Sequence, residues 1–356
     1  MVYALHRRRR GLPDKDRIEG VRICRFRLKS LNWPRYLPLQ IIKYIEAVIR
    51  MSAHSIKFIP AVVHANDLSG LIIGFLIAKI NKSKLVYDSH ELLSETRGTL
   101  AYPKVIAKLL LLFEKMLAVR ADAVITVSGG IADKMAGKLG ISTPTVIRNL
   151  PSKNYEKMGN NGNPLREALN LGRNESVILY QGGMGPGRGA RILLESMLEV
   201  KHPDTVLVFL GNGSVVKDLK KLARDLNLEQ IVYFHPAVES SVLPDWTADA
   251  TIGVHPMEGI CLNHQLALPN KIFEYIQAGL PVLVSNLPEM SKIVHEYGVG
   301  EVFADRNVSE LAAKINEMLG DTDLMERHKQ AAKIASNKLN WEHEQKKLIA
   351  LYRKLS

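Results

Sequence analysis

The stretch of this sequence that is best suited to chemistry is VILYQGGMGPGRGARILLE, residues 177–195. A short apolar run is followed by five glycines, one arginine and a helical pattern. Glycines let backbone N–H groups approach an anion closely, and the following helix presents its positive N-terminal end. Arg188 adds a permanent charge and a fork of donors. The pattern predicts a diphosphate site, with a tight structural turn as the alternative.

The spacing excludes two common phosphate motifs. The loop lacks the GK[ST] ending of a Walker A loop, and its glycines do not match the dinucleotide fingerprint cleanly. In that fingerprint an acidic residue ends the next strand and binds a ribose, but here LVFLG is followed by Asn212.

A second candidate stretch is LPNKIFEYIQAGLPVLVS, residues 268–285. Asn270 is predicted to cap a helix over residues 271–278. Lys271 and Glu274 are three residues apart and therefore neighbours on one face of that helix. Lys271 can neutralise a phosphate, and Glu274 can accept two hydrogen bonds from a ribose diol. The alternative is an ordinary surface ion pair.

Polar side chains also follow two predicted strands of the first part of the chain. These are Asp88, His90 and Glu91 in VYDSHELLSE, and His64, Asn66 and Asp67 in VVHAND. Ligands of α/β sheets bind at the carboxyl ends of strands. Groups that bind hydroxyls, or caps at strand ends, are favoured over a metal site, because no third ligand follows nearby.

Short, nearly all-apolar strands alternate with helical patterns, which predicts two doubly wound α/β domains. The polar, Asn- and Gly-rich stretch at 151–175 is typical of a linker. The predicted domains are residues 1–155 and 156–339, and the C-terminal helix, 340–356, is expected to pack back on the first. The stretch HRRRRGLPDKDRIEG, after the first strand, is predicted to be a polar loop.

Charge and cysteine content restrict the expected partners and compartment. Residues 1–150 carry 25 Lys and Arg against 11 Asp and Glu, so they hold all of the net charge of +12. That excess favours nucleic acid, an anionic membrane or a phosphorylated acceptor, and the absence of interleaved aromatic residues counts against nucleic acid. The amphipathic segment PLQIIKYIEAVIRM can contact a membrane, although core packing is favoured. Two isolated cysteines and no recognisable signal peptide predict a cytoplasmic protein.

Taken in order, these stretches resemble the family 4 glycosyltransferases (glycosyl transferases group 1) of the GT-B fold. The matching segments are VVHAND, LVYDSHE, ADAVITVS, TVIRNLP, YQGGMGPGRG, LVFLGNGS and LPNKIFEYIQAGLPVLVS. The resemblance implies two Rossmann-like domains that face each other across a cleft. It also implies retaining transfer from a nucleotide-sugar, here a UDP- or GDP-sugar, without a metal or other cofactor. The implied acceptor is a glycan or lipid-linked molecule of cell-surface polysaccharide or glycolipid synthesis, with an anionic membrane surface nearby.

The resemblance also implies roles for individual residues. In the family's donor loop, which often reads G-R-x4-K-G, Gly183 stands at the arginine and Arg188 at the lysine, so Lys271 is expected to supply the second cation. Of the family's two glutamates, Glu274 matches the second, and Glu258 is the expected displaced first one. The implied catalytic residues are His90, Glu274, Arg188 and Lys271. The implied donor-binding residues are Gly182, Gly183, Gly185, Gly187, Arg188, Gly211, Asn212, Gly213, Glu258, Asn270, Lys271 and Glu274.

The start of the sequence departs from the family pattern. VYAL matches the family's second strand, so the central first strand and its Gly-rich turn have no counterpart. We expect a gap in the first sheet with unpaired backbone groups, and a truncated sequence as its cause. The alternatives are a nucleotide-sugar 2-epimerase and a non-catalytic nucleotide-sugar-binding protein.

Overall fold

The computed structural model describes residues 1–5, 12–34, 36–55, 57–100, 103–153 and 162–355. Within them thirteen strands form three sheets. The strands are β1 (Val2–Leu5), β2 (Lys15–Ile18), β3 (Val21–Phe26), β4 (Val62–Asn66), β5 (Lys84–Ser89), β6 (Ala123–Thr126), β7 (Thr145–Val146), β8 (Ser176–Gln181), β9 (Thr205–Leu210), β10 (Val232–His235), β11 (Ile252–His255), β12 (Val282–Ser285) and β13 (Gly300–Phe303).

The second part of the chain is a doubly wound domain. Its six parallel strands lie in the order β10-β9-β8-β11-β12-β13. These strands are almost wholly apolar because both faces of the sheet are covered, and each face has its own buried cluster. The helices of this part are α6 (Pro164–Leu169), α7 (Ala190–Ser196), α8 (Val216–Asp225), α9 (Leu243–Ala248), α10 (Leu262–Gln265), α11 (Asn270–Gln277), α12 (Pro288–Tyr297), α13 (Val308–Gly320) and α14 (Thr322–Ser336).

The first part of the chain contains two sheets, in the orders β4-β5-β6-β7 and β1-β3-β2. The last helix, α15 (Trp341–Leu355), returns to it and packs Leu351 against Val86 and Ile125 of the four-stranded sheet. The other helices of this part are α1 (Leu37–Ser55), α2 (Asp67–Asn81), α3 (Arg97–Leu100), α4 (Lys104–Ala118), α5 (Gly129–Leu139) and two 3₁₀ turns at Lys29–Asn32 and Leu93–Glu95.

The prediction of a polar loop after the first strand is wrong for β2. This strand pairs with β3 in an antiparallel hairpin. Glu19 and Gly20 form the two-residue turn, with φ of 47° and 83°. Two consecutive positive φ angles are the conformation that a tight hairpin requires. Residues 6–11 of the predicted loop lie outside the described residues.

The first part of the chain has the expected interruption in its sheet. Within the described residues β1 pairs only with β3, and β4 pairs only with β5. Tyr3 of β1 and Val63 of β4 nevertheless pack against one apolar cluster, which includes Ile73 of α2. The two sheets therefore share a helix layer without sharing hydrogen bonds.

Candidate active site

A cleft lies between the two parts of the chain. It is open to solvent and has a cavity volume of about 120 Å³. Both parts contribute lining residues, which include His90, Glu91, Asn149, Arg188, Asn263, His264 and Asn270. Of the predicted site residues, His90 and Glu91 of the first part and Arg188 and Asn270 of the second therefore line one space.

The glycines of the loop between β8 and α7 have two different roles. Gly189 has a φ of 74°, and a Cβ there would lie 1.6 Å from the carbonyl oxygen of Pro256, so the fold itself requires glycine. At Gly183 and Gly185 a Cβ would meet no described atom within 4 Å, and neither residue has a positive φ. The fold does not require glycine at these two positions, which leaves backbone open to a ligand.

Arg188 lies on the wall of the cleft, directly before α7. Its backbone N–H donates to the carbonyl oxygen of Gly185, which folds the loop back on itself. Among the described residues no carboxylate lies within ion-pair distance of its guanidinium. A guanidinium without a partner at an open cleft is suited to binding a phosphate.

Lys271 lies on the first turn of α11, under the same loop. Its Nζ is 4.0 Å from the centre of the Tyr180 ring, and a Cβ at Gly182 would be 3.5 Å from that nitrogen. Burial, together with the positive charge of Arg188, lowers the pKa of Lys271 from 10.5 to about 7. An anion in the loop would favour the charged form of Lys271.

Glu274 lies one turn further along α11. Its Oε2 accepts a hydrogen bond from Nε2 of Gln181 at the end of β8, and Oε1 of Gln181 in turn accepts from the hydroxyl of Thr247. Burial raises the pKa of the Glu274 carboxyl, although Gln181 and Lys271 oppose that shift. The carboxyl therefore belongs to an ordered network beside the loop.

The prediction that Asn270 caps α11 is wrong. Asn270 is the first residue of the helix, Pro269 stands at the cap position, and no side chain of the described residues caps the helix end. Asn270 lines the cleft instead. The residue is therefore placed where it can contact a ligand.

Two segments support the glycine loop from either side. Gly211 and Gly213 pack so closely on it that a Cβ at either one would overlap the carbonyl oxygen of Gly182 or Met184, and the exposed Asn212 lies between them. On the other side, the backbone N–H of Glu258 donates to the carbonyl oxygen of Gly187, at 3.1 Å.

Two residues between Glu258 and α11 reach the cleft. Nδ1 of His264 is 3.0 Å from the carbonyl oxygen of Glu258, which holds the ring on the cleft wall. Oδ1 of Asn263 accepts from the backbone N–H of Leu92, at 2.8 Å. Asn263 therefore ties the second part of the chain to the residues that follow His90.

His90 lines the same cleft as Arg188, from the first part of the chain. Its backbone N–H donates to Oδ1 of Asp67, and its Nε2 is 3.5 Å from Oδ1 of Asp88. The hydrogen bond and negative charge of Asp88, with Asp67 and Glu91 nearby, raise the pKa of His90 despite the opposing effect of burial. Although burial opposes it, hydrogen bonds from His64 and His90 hold the pKa of Asp88 near 2.

Several residues of this region were not predicted. Gln181 and Tyr180 belong to an apolar strand, and only their position directly before the glycines could have indicated them. His255 is fully buried, and neither of its ring nitrogens has a hydrogen-bond partner among the described residues. Burial and the nearby charges of Lys271 and Arg188 keep its pKa well below the usual range, so this ring is neutral.

The described residues contain no group of three or more His, Cys, Asp or Glu side chains that is placed to hold a metal ion. None of the helices in the described ranges combines the length and the apolar character needed to cross a membrane.

Comparison with known families covers almost the whole chain. Residues 2–150 match the model described as Glycosyltransferase Family 4, and residues 163–335 match the one described as Glycosyl transferases group 1. The chain belongs to the family 4 glycosyltransferases of the GT-B fold. The expected fold class, with two Rossmann-like domains, is confirmed by the solved structures that it resembles.

Sucrose-phosphate synthase from Thermosynechococcus elongatus superposes with a TM-score of 0.79 at 19% identity, over 97% of this chain and 86% of that one. HepE from Anabaena, solved with UDP-glucose, gives 0.73 at 20% identity, over 94% and 86%. At sequence identities of 19% and 20%, these superpositions establish a shared fold and no more.

Relatives by sequence are distant. The TuaH protein of Bacillus subtilis, whose name refers to teichuronic acid biosynthesis, is 26% identical over 60% of this chain. That match spans about half of TuaH, 53% of its length. A GDP-mannose-dependent alpha-(1-6)-phosphatidylinositol monomannoside mannosyltransferase of Mycobacterium tuberculosis is 26% identical over 45% of this chain and 42% of its own.

Proposed function

We propose that this chain is a retaining glycosyltransferase that moves a sugar from a UDP- or GDP-sugar to a glycan or lipid-linked acceptor. The observation that carries the proposal is the pairing of two cations, Arg188 and Lys271, with open backbone at Gly183 and Gly185. Neither cation has a carboxylate within ion-pair distance among the described residues. A diphosphate would supply the missing negative charge.

In this proposal the transfer depends on stabilising a leaving group. The bond between the anomeric carbon and the diphosphate breaks, and the acceptor oxygen bonds to the same carbon. Arg188 and Lys271 offset the charge that develops on the diphosphate, which is electrostatic stabilisation in a partly enclosed site. The acceptor proton passes to a diphosphate oxygen, and Glu91, which also lines the cleft, is a second group able to accept it.

The remaining donor contacts follow from the same geometry. Glu274 holds the ribose hydroxyls, in exchange for part of its bonding to Gln181. Asn270 lines the cleft and is a further group able to contact the donor. His90 approaches from the opposite wall and orients the sugar, because its raised pKa favours the protonated form that donates to a sugar hydroxyl.

The pathway and the acceptor are part of the proposal. HepE has been solved with UDP-glucose, and the mycobacterial relative is named for GDP-mannose and a phosphatidylinositol acceptor. Together with the excess of cations in residues 1–150, these names support a lipid-linked or surface-glycan acceptor at the inner face of a membrane. We therefore assign the chain to cell-surface polysaccharide or glycolipid synthesis, with no metal requirement.

Three measurements on the full chain test this function. A thermal-shift panel of UDP-, GDP- and ADP-sugars should show stabilisation by a UDP- or GDP-sugar. Incubation of that donor with an extract of lipid-linked and glycan acceptors should then give a product whose anomeric configuration, read by NMR, equals that of the donor. Conversion of the donor without any acceptor would instead indicate a 2-epimerase, and an inverted product would overturn the retaining mechanism.

A further inference from the structure

Helix α4 leaves an unusual apolar stripe exposed. Val105, Leu109, Leu112 and Met116 are 69%, 59%, 61% and 42% exposed. Their spacing of four, three and four residues places them on one face of the helix. The opposite face, with Leu117 and Ala118, is buried in the core of the first part.

The charges on the exposed face of α4 are all positive. Lys104, Lys108 and Lys115 are exposed and lie beside the stripe. The one carboxylate of the helix, Glu114, is 3% exposed and accepts a hydrogen bond from the hydroxyl of Tyr87 in the core. The surface that faces outward is therefore apolar and cationic, without an acidic side chain.

A second apolar stripe lies in the same helix layer. Ile41, Ile45 and Ile49 of α1 are 53%, 49% and 62% exposed. Helix α2 lies between the two stripes, because it packs against both α1 and α4. The exposed apolar side chains therefore lie mainly on α1 and α4, and α2 between them adds Ile80, which is 54% exposed.

We propose that this layer, with α4 as its main contact, docks on the surface of an anionic lipid bilayer. A helix with an apolar face and lysines along its edges lies in the interface, where its apolar side chains enter the headgroup boundary and its cations meet lipid phosphates. The inference deepens the proposed function by naming the surface that reaches a membrane acceptor. Binding to lipid does not require a donor and can be measured separately.

A second copy of the chain fits this surface poorly. In a helix pair formed by the stripe, Lys108 and Lys115 would occupy the flanking positions that face the partner. In an antiparallel self-pair these cations would face one another, and α4 has no exposed carboxylate to offset them. Anionic lipid supplies the opposite charge for the lysines of α4.

Vesicle binding by the full chain tests the proposal. We expect the chain to co-sediment with vesicles of phosphatidylglycerol and phosphatidylcholine, and not with phosphatidylcholine alone. Each cation removed should weaken partitioning about fivefold, so Lys108→Ala/Lys115→Ala should weaken it about twenty-five-fold. Leu109→Ser/Leu112→Ser should weaken it as well. The matched control is Lys217→Ala/Lys221→Ala, the same charge change on two exposed lysines of α8.

Two outcomes would overturn the proposal. One is a vesicle result: the wild type does not bind the anionic vesicles, or the α8 control variant weakens binding as much as Lys108→Ala/Lys115→Ala does. The other is a wild-type dimer by light scattering that Leu109→Ser/Leu112→Ser converts to monomer, which would make the face a self-interface. Because the altered residues lie outside the cleft, donor binding should be unchanged in every variant, and this separates failure of docking from failure of the proposed function.

Discussion

The hydroxyl of Tyr352 lies 2.6 Å from Nδ1 of His64, which joins the last helix to strand β4. Nε2 of the same ring is 2.9 Å from Oδ2 of Asp88, and the other oxygen of Asp88 faces His90. A carboxylate accepts from Nε2–H, so in the neutral ring Nδ1 is left to accept from the Tyr352 hydroxyl. Four residues thus connect α15 with the cleft.

The first prediction concerns this chain of contacts. Asp88→Asn removes the charge that favours protonated His90, so the pKa of His90 should fall. In the wild type, the interaction of Asp88 with protonated His90 adds to the free energy of unfolding. This stabilisation is complete below the usual histidine pKa of 6.5 and is lost as pH rises through the raised folded pKa of His90. NMR titration of the ring protons measures the change. The matched control is Asp225→Asn, at an exposed carboxylate of α8, in which the His90 titration should equal that of the wild type.

An unchanged His90 titration in Asp88→Asn would show that the carboxylate does not control the ring. If His90 orients the donor sugar, the same variant should lower kcat more than it raises KM.

The second prediction separates binding from stability at Lys271. Its folded pKa of about 7 lies below the unfolded 10.5, so between these values the unfolded chain binds more protons and stability rises with pH. Lys271→Met should abolish this rise and stabilise the fold at pH 7 by on the order of a few kcal/mol. The same variant should lose donor affinity. Denaturant unfolding at several pH values measures the first effect, and calorimetry measures the second.

The control for Lys271→Met is Lys292→Met, on an exposed position of α12. It should change neither stability nor donor affinity. A Lys271→Met variant that is less stable than the wild type would show that the lysine supports the fold and does not serve a ligand.

The third prediction contrasts two glycines of one loop. Gly189→Ala places a Cβ against the carbonyl oxygen of Pro256 at a residue with positive φ. It should lower the free energy of unfolding by roughly 3 kcal/mol or more. Gly183→Ala meets no described atom and should leave the melting temperature unchanged. It should nevertheless weaken nucleoside diphosphate binding, because the methyl group occupies the space of the ligand. Equal affinity of wild type and Gly183→Ala would place the diphosphate elsewhere.

The fourth prediction concerns the ribose. Wild-type protein should bind UDP or GDP more tightly than the 2′,3′-dideoxy analogue, by about 1–3 kcal/mol, because hydrogen bonds to a charged acceptor are strong. Glu274→Gln should remove most of that difference, with little effect on the affinity for the analogue. An equal preference in wild type and variant would exclude Glu274 as the ribose contact. Competition calorimetry on wild type and Glu274→Gln, each with the nucleotide and with its dideoxy analogue, gives the coupling free energy between Glu274 and the ribose hydroxyls.

Periodicity and turn residues sufficed to predict the layered α/β fold. The apolar runs of β8, β9 and β12 are wholly buried, as two covered faces require. The hairpin of β2 and β3 was missed although its sequence held a signal. The dipeptide Glu19–Gly20 forms a two-residue turn between two short strands. The charged residues in and around these strands weakened the apolar pattern by which strands are recognised.

The site was harder to predict from the sequence, because its residues are far apart along the chain and their properties depend on tertiary structure. Tyr352 and His64 are 288 residues apart, and nothing local relates a tyrosine on a terminal helix to a strand-end histidine. Asn270 was assigned from its residue type, whereas Pro269 holds the extended conformation that precedes the helix. The low pKa of Lys271 depends on burial under the loop, which only tertiary structure determines.

The central claim, that the loop before α7 holds the diphosphate of a nucleotide-sugar, is tested most directly by calorimetry on Arg188→Ala. The matched control is Arg191→Ala, three residues along, where the side chain is 71% exposed and pairs with Glu195. We predict that Arg188→Ala lowers the affinity for UDP or GDP at least tenfold, because a charged hydrogen bond worth about 1.5–3 kcal/mol is lost. Arg191→Ala should bind the nucleotide with wild-type affinity. Equal affinity of Arg188→Ala and wild type would contradict the account.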